Sequence, residues 1–213
     1  MDSSSQNLET LKDIKRIMER SSRFISLSGL SGIVVGICAL IGATVAWYRI
    51  SAYYKDFVAG NVCASCLKED LILIASIVFV AALVIAILFT FLKTQKDGVP
   101  MWGNSARRLL WNTMLPMLAG GFVLLRMIQL EQYQLVAPAS LVFYGLALVN
   151  GSKYTMSEVR YLGYAEIILG IICLWLYHKG LMCWAIGFGI FHIIYGIVMW
   201  WKYERASKNS IPE

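Results

Sequence analysis

Charge is what this chain has least of. Only 15% of its 213 residues are Asp, Glu, Lys or Arg, against 58% hydrophobic residues and a mean hydropathy of +0.63. That balance excludes an ordinary soluble domain, which would need an outsized buried core from a short chain. Histidine is scarcer still, with two residues, and only His192 lies deep in an apolar stretch, so bis-histidine haem ligation within one chain is excluded. The templates of soluble catalysis are missing too: no phosphate-cradling Walker loop, no dinucleotide fingerprint, no G-x-S-x-G, no H-E-x-x-H and no paired-aspartate signature. No nucleic-acid motif is present, so the formal charge of +6 points to anionic lipid headgroups rather than to a nucleic acid. No catalytic residue, metal or cofactor is expected.

What the chain does have is six long apolar stretches, roughly Phe24–Tyr48, Leu71–Leu92, Leu109–Leu130, Leu135–Val149, Val159–Tyr177 and Leu181–Trp201. About 20 apolar residues suffice to cross a ~30 Å hydrocarbon layer as a helix. The sequence therefore predicts an all-α, polytopic membrane protein, a six-helix bundle with the bilayer as its main solvent. The fourth stretch is the shortest and contains Pro138, which suggests a tilted or partly interfacial helix. Met1–Arg23 is polar, and the first apolar stretch is too long for a signal-peptide core, so the first helix is expected to be a permanent span. Positive charge near a helix end resists translocation. With the N-terminus inside, 14 of the 19 Lys and Arg residues fall on the cytoplasmic side, which predicts both termini there.

Three regions follow: a cytoplasmic N-terminal segment over 1–23, a transmembrane domain over 24–201 and a cytoplasmic tail over 202–213. Within the first, Leu8, Leu11, Ile14, Ile17 and Met18 recur at helical spacing among charged residues, predicting an amphipathic helix that lies on the membrane surface or docks a partner. Lys93–Arg108 reads as a cytoplasmic loop. Thr155-Met-Ser-Glu158 has the form of a capping box, which would start the fifth helix at about Met156.

The chemistry concentrates in the last two helices. Gly163-Tyr-Ala-Glu166-Ile-Ile-Leu-Gly170 and Gly189-Ile-Phe-His192-Ile-Ile-Tyr-Gly196 share a pattern that puts two glycines and a polar residue on one helical face, and Gly29, Gly32 and Gly36 repeat it in the first helix. Small residues let helices approach closely, so each polar group should point into a packed interface. Glu166 and His192 are each 13 residues from Lys179, the centre of the short turn between them, which predicts equal depth in an antiparallel hairpin. A charge in hydrocarbon costs several kcal/mol unless paired. The pair is thus a candidate proton relay or binding site for a cation or small polar ligand; the alternative is a structural clamp. Asn112, Tyr144 and Tyr195 are candidate further members, with Pro116 and Gly120-Gly121 bending the third helix. Arg126, near the outer boundary, is expected to snorkel or to pair with Glu131.

Cys63-Ala-Ser-Cys66 is a C-x-x-C on the expected outer side, where a disulfide or a redox-active pair is permitted. No second such motif exists, which leaves a zinc site incomplete. Cys38, Cys173 and Cys183 read as small apolar packing residues.

Arg20-Ser-Ser-Arg-Phe-Ile-Ser-Leu-Ser-Gly-Leu-Ser-Gly32 and Gly187-Phe-Gly-Ile-Phe-His-Ile-Ile-Tyr-Gly-Ile-Val-Met-Trp200 resemble segments of a group of small, uncharacterised bacterial six-helix membrane proteins. The resemblance implies a bacterial inner membrane and carries no activity or site residue. The functional expectation is a membrane protein that binds, senses or transports a proton, ion or small polar ligand around Glu166 and His192. The rivals are a membrane subunit that anchors or regulates a partner through its glycine-lined faces and the N-terminal amphipathic helix, and a membrane thiol-disulfide oxidoreductase using Cys63 and Cys66; a homo-oligomer or a membrane partner protein is also open.

Overall fold

The computed structural model describes residues 28–58, 64–98 and 102–204. The expected amphipathic N-terminal helix, Cys63 and the end of the C-terminal tail lie outside them. Among the described residues the chain is all-helical: α1 Gly29–Val58, α2 Ala64–Asp97, α3 Asn104–Gln129, α4 Tyr133–Gly151, α5 Glu158–Trp175 and a composite α6. This last helix opens as α-helix over Gly180–Trp184 and widens to π-helix over Ala185–Phe191. It returns to α over His192–Met199 and widens again over Trp200–Glu204.

Several boundaries differ from the sequence reading. α2 runs on to Asp97 and α3 begins at Asn104, so most of the segment read as a loop is helical. At 34 residues, α2 is about 50 Å long by helical rise, well beyond a hydrocarbon layer, and its charged ends extend past the apolar stretch. The fourth stretch is longer than it looked. A 3₁₀ turn over Ser152–Tyr154 extends α4, and Tyr133–Tyr154 forms a 22-residue apolar span. Pro138 falls in the second turn of α4, where its missing N–H forgoes a bond to the Gln134 carbonyl. Among the described residues five helices are long and apolar enough to cross a membrane rather than the six expected; α5 is the exception, with Glu158, Arg160 and Glu166 in its 18 residues. α5 begins at Glu158 rather than at about Met156, with Ser157 as the N-cap and no hydrogen bond from the Ser157 side chain, and one Glu158 carboxylate oxygen bonds Lys202 and Tyr203 at the end of α6.

Glycine decides which helices meet. On α1, Gly29, Gly32 and Gly36 face α6, where an added methyl at Gly36 would sit 2.7 Å from the Gly189 carbonyl oxygen. On α5, Gly163 and Gly170 face α4 rather than α6, and a methyl at Gly163 would sit 2.8 Å from the carbonyl oxygen of Gly145. The repeated stripes thus build two separate seams, α1 against α6 and α4 against α5, with α6 also packed on α4 and α5. α3 lies against α4, and α2 packs on α1. Arg49 and Asp70 join the latter pair at one end, 2.8 Å apart.

The interior is accordingly small and partly polar, and the exterior is large and apolar. Gly32, Ala39, Ala43, Ala147, Thr155, Glu166 and His192 are buried, while Ile41, Ile77, Phe79, Leu115, Phe122 and Ile168 are each more than half exposed. In the most apolar stretch of α2 no residue is buried. A water-soluble fold shows the opposite arrangement; an exterior of this kind matches hydrocarbon, where small residues at helix contacts provide the close packing.

Candidate functional site

Glu166 comes from the middle of α5, held by the two glycines that bring its helix against α4. The side chain is completely buried. It reaches across to α6 because Gly187 leaves room: a methyl there would sit 2.5 Å from Glu166 Oε2. His192, 5% exposed, enters from α6 immediately after the π-helical stretch. Its Nδ1 lies 3.5 Å from Glu166 Oε1 and 3.1 Å from the carbonyl oxygen of Gly187. Its Nε2 lies 2.8 Å from the hydroxyl of Tyr144 on α4. Three helices therefore converge on one buried cluster. A π-helical widening is rare and frequently accompanies a functional site.

These contacts fix the proton's place on a neutral imidazole. A carbonyl only accepts, so Nδ1 carries the hydrogen and donates it to Gly187; Nε2 is then the acceptor, and the Tyr144 hydroxyl donates to it. Phe188 and Tyr144 hold the ring in place, their ring centres 6.1 Å and 5.4 Å from that of His192. Glu166 is less well served. Neither carboxylate oxygen has a hydrogen-bond partner among the described residues, a cost of roughly 1–3 kcal/mol for an orphaned buried polar atom and more for a charged one. The approach to Nδ1 is close enough for a Coulombic contact and too long for a good hydrogen bond. The cluster can exist as carboxylic acid with neutral imidazole, or as carboxylate with imidazolium, at the same net charge. Gaining or losing one proton leaves an uncompensated charge in a dry site, which is a large energetic change from a small chemical one.

Tyr195 stands one turn beyond His192 on α6, its ring against Gly32 of α1, and its hydroxyl is buried without a hydrogen-bond partner among the described residues. Asn112 is elsewhere. Its amide donates to the carbonyl of Arg108 within α3, and its own carbonyl accepts from Asn150, which ties α3 to α4. Arg126 bonds Gln129 at 3.2 Å rather than Glu131. Gly120 packs on Phe143 of α4 whereas Gly121 faces open space. Cys66 is disulfide-bonded, and Cys38, Cys173 and Cys183 are free. Among the described residues no group of three His, Cys, Asp or Glu side chains could hold a metal ion. The sequence reading missed Gly187 and Phe188; both sit in the quoted α6 segment, but nothing in spacing alone marks a carbonyl that a π-helical turn makes available.

Compared with known protein families, curated proteins and solved structures, the chain matches none.

Proposed function

We propose that this protein is a multi-pass membrane protein that binds a proton at the Glu166–His192–Tyr144 cluster and uses that binding for sensing or transport. The observation that carries the reading is a completely buried carboxylate, without a hydrogen-bond donor among the described residues, 3.5 Å from a buried imidazole. Intramembrane ionisable groups are expensive and usually functional. A structural clamp would be better served by partners that satisfy both oxygens, since a half-satisfied polar network is worse than an apolar contact. A proton also needs no cavity. The charge asymmetry of the helix ends supports both termini on the cytoplasmic side, and the resemblance to small bacterial six-helix proteins supports an inner-membrane location.

The rival reading, a subunit that docks a partner through glycine-lined faces and the N-terminal amphipathic helix, loses those faces, because the stripes on α1, α5 and α6 are already occupied by helices of this chain; its other element lies outside the described residues. The test is a pH titration of the purified protein followed by NMR of the His192 ring, wild type against Glu166→Gln. A His192 midpoint that moves when Glu166 is neutralised supports a coupled proton site. Identical titrations, or no titration in either protein, would remove the basis for it.

A further inference from the structure

The polar groups around the cluster are not distributed evenly between the two ends of the bundle. Toward the end where α5 begins and α6 finishes stand Tyr195, Thr155, Ser152 and Glu158. Thr155 and Ser152 are buried, and Tyr195 and Glu158 each have a buried oxygen without a hydrogen-bond partner among the described residues, the hydroxyl of one and Oε2 of the other. The other Glu158 oxygen is held by Lys202 and by Tyr203 at 3.0 Å. Lys202 is more than half exposed, and a lysine at the end of a span places its ammonium at the headgroup layer and water. Along α6, Tyr195 is three residues from His192 and eight from Tyr203, about one turn and about 12 Å. Tyr195 is within electrostatic reach of Glu158 and Tyr203 on one side and of Tyr144 on the other.

Toward the opposite end the site is closed. Leu141 of α4, Cys173 of α5 and Cys183 of α6 form a buried apolar cluster, with Leu169 and Phe188 packed against it. Leu141 lies one turn from Tyr144, and Cys173 two turns from Glu166, so this plug sits directly beyond the cluster. Close-packed apolar side chains leave no polar partner for water or a proton.

Resting on the proton-site reading, we infer that the cluster exchanges its proton from one end of the bundle alone, through Glu158 and Tyr195 and hydrogen-bonded water between them, while the Leu141–Cys173–Cys183 plug seals the other. Orphaned buried oxygens are where ordered water is expected in a protein interior. The transfer balances. A proton from bulk water reaches the path at Glu158, the Tyr195 hydroxyl accepts one hydrogen and passes on another, and Tyr144 does the same toward His192 Nε2. Both tyrosines end as they began, and His192 becomes an imidazolium facing the Glu166 carboxylate. The groups that set the field along this path are Tyr144 from α4, Glu158 and Glu166 from α5, and His192, Lys202 and Tyr203 from α6; α1 presents Gly32 and Gly36 there. Access from one side suits a sensor of pH on that side, the cytoplasmic one in the proposed topology.

The experiment is time-resolved infrared spectroscopy of the full-length chain after a pH jump, reading the His192 ring bands and the Glu166 carboxyl band together, with Glu166→Gln for assignment. Tyr195→Phe removes one hydroxyl from the path and is expected to slow protonation at least tenfold with the midpoint unchanged; Glu158→Gln is expected to slow it in the same sense. Independently, a hydrophilic maleimide should label Tyr195→Cys in the folded protein and leave the native Cys173 and Cys183 untouched. Wild-type rates in both variants, or labelling of Cys173 and Cys183 as fast as that of Tyr195→Cys, would overturn the inference while leaving the proton site standing. The absence of any titrating band in the wild type would remove the proton site and the path with it. Should Tyr195→Phe fail to fold, Glu158→Gln and the labelling of the native cysteines decide.

Discussion

Two glycine-to-alanine substitutions in helix interiors should have opposite signs. At Gly196 on α6, a methyl would sit 2.6 Å from the carbonyl oxygen of Gly29 and 2.6 Å from the backbone nitrogen of Ile33. Both atoms are backbone, so no rotamer change relieves the clash, and α1 must move away by about 1 Å to reach ordinary contact distance. Overpacking of this kind costs typically 1–3 kcal/mol. At Gly121 on α3, nothing lies within 4 Å of the added methyl, so only the backbone effect remains, a gain of roughly 0.5–1 kcal/mol for alanine over glycine in a helix. The backbone gain is common to both sites and cancels, so the two variants should differ by the overpacking cost, about 1–3 kcal/mol in unfolding free energy, measured by denaturant unfolding in one detergent. The Gly196 variant should also disturb the His192 ring signals, because its seam includes the His192 carbonyl, 3.3 Å from a methyl built on Gly32. Equal stabilities for Gly196→Ala and Gly121→Ala would refute the close α1–α6 approach and, with it, the way α6 is held over Glu166.

Nitrogen NMR of the neutral His192 ring should report the hydrogen on Nδ1, given the Gly187 carbonyl at 3.1 Å; a hydrogen on Nε2 would contradict the geometry. Tyr144→Phe deletes the donor to Nε2 and should cost about 1 kcal/mol of stability, with a shift of the Nε2 resonance as its signature. His178 holds a left-handed φ of 60° in the turn between α5 and α6. His178→Gly should relieve a strain of roughly 1–2 kcal/mol and raise the unfolding midpoint, offset in part by the greater freedom of glycine in the unfolded chain.

Much of the site's plan was already legible in the residues. Equal spacing from Lys179 anticipates the approach of Glu166 to His192, because two antiparallel helices rise by the same amount per residue whatever surrounds them. The helical spacing of Gly29, Gly32 and Gly36 likewise marks one close-packed face. Which partner each face meets was not legible. The α5 glycines share their pattern with those of α6, yet they lie against α4, Gly163 on Gly145 and Val149 and Gly170 on Pro138 and Val142. Asn112 looked as available to the cluster as Tyr144 did, since both are polar residues in apolar stretches; only the lateral order of the helices separates them, placing one at α3–α4 and the other over His192.

The sequence by itself determined the helical elements and suggested their solvent. Fifteen per cent charge and apolar stretches of membrane length point to helices suited to hydrocarbon, where a helix satisfies its own backbone polar groups. Local rules also governed the turn and the depth of each polar residue. The tertiary structure decided the rest: that Glu158 bonds the end of α6, that α6 widens beside Gly187, and that polar groups line one approach to Glu166 while leucine and cysteine close the other. Those outcomes depend on which helices are neighbours, and in a bilayer that is set by close packing between small residues far apart in the chain, which apolar periodicity along any single helix does not encode.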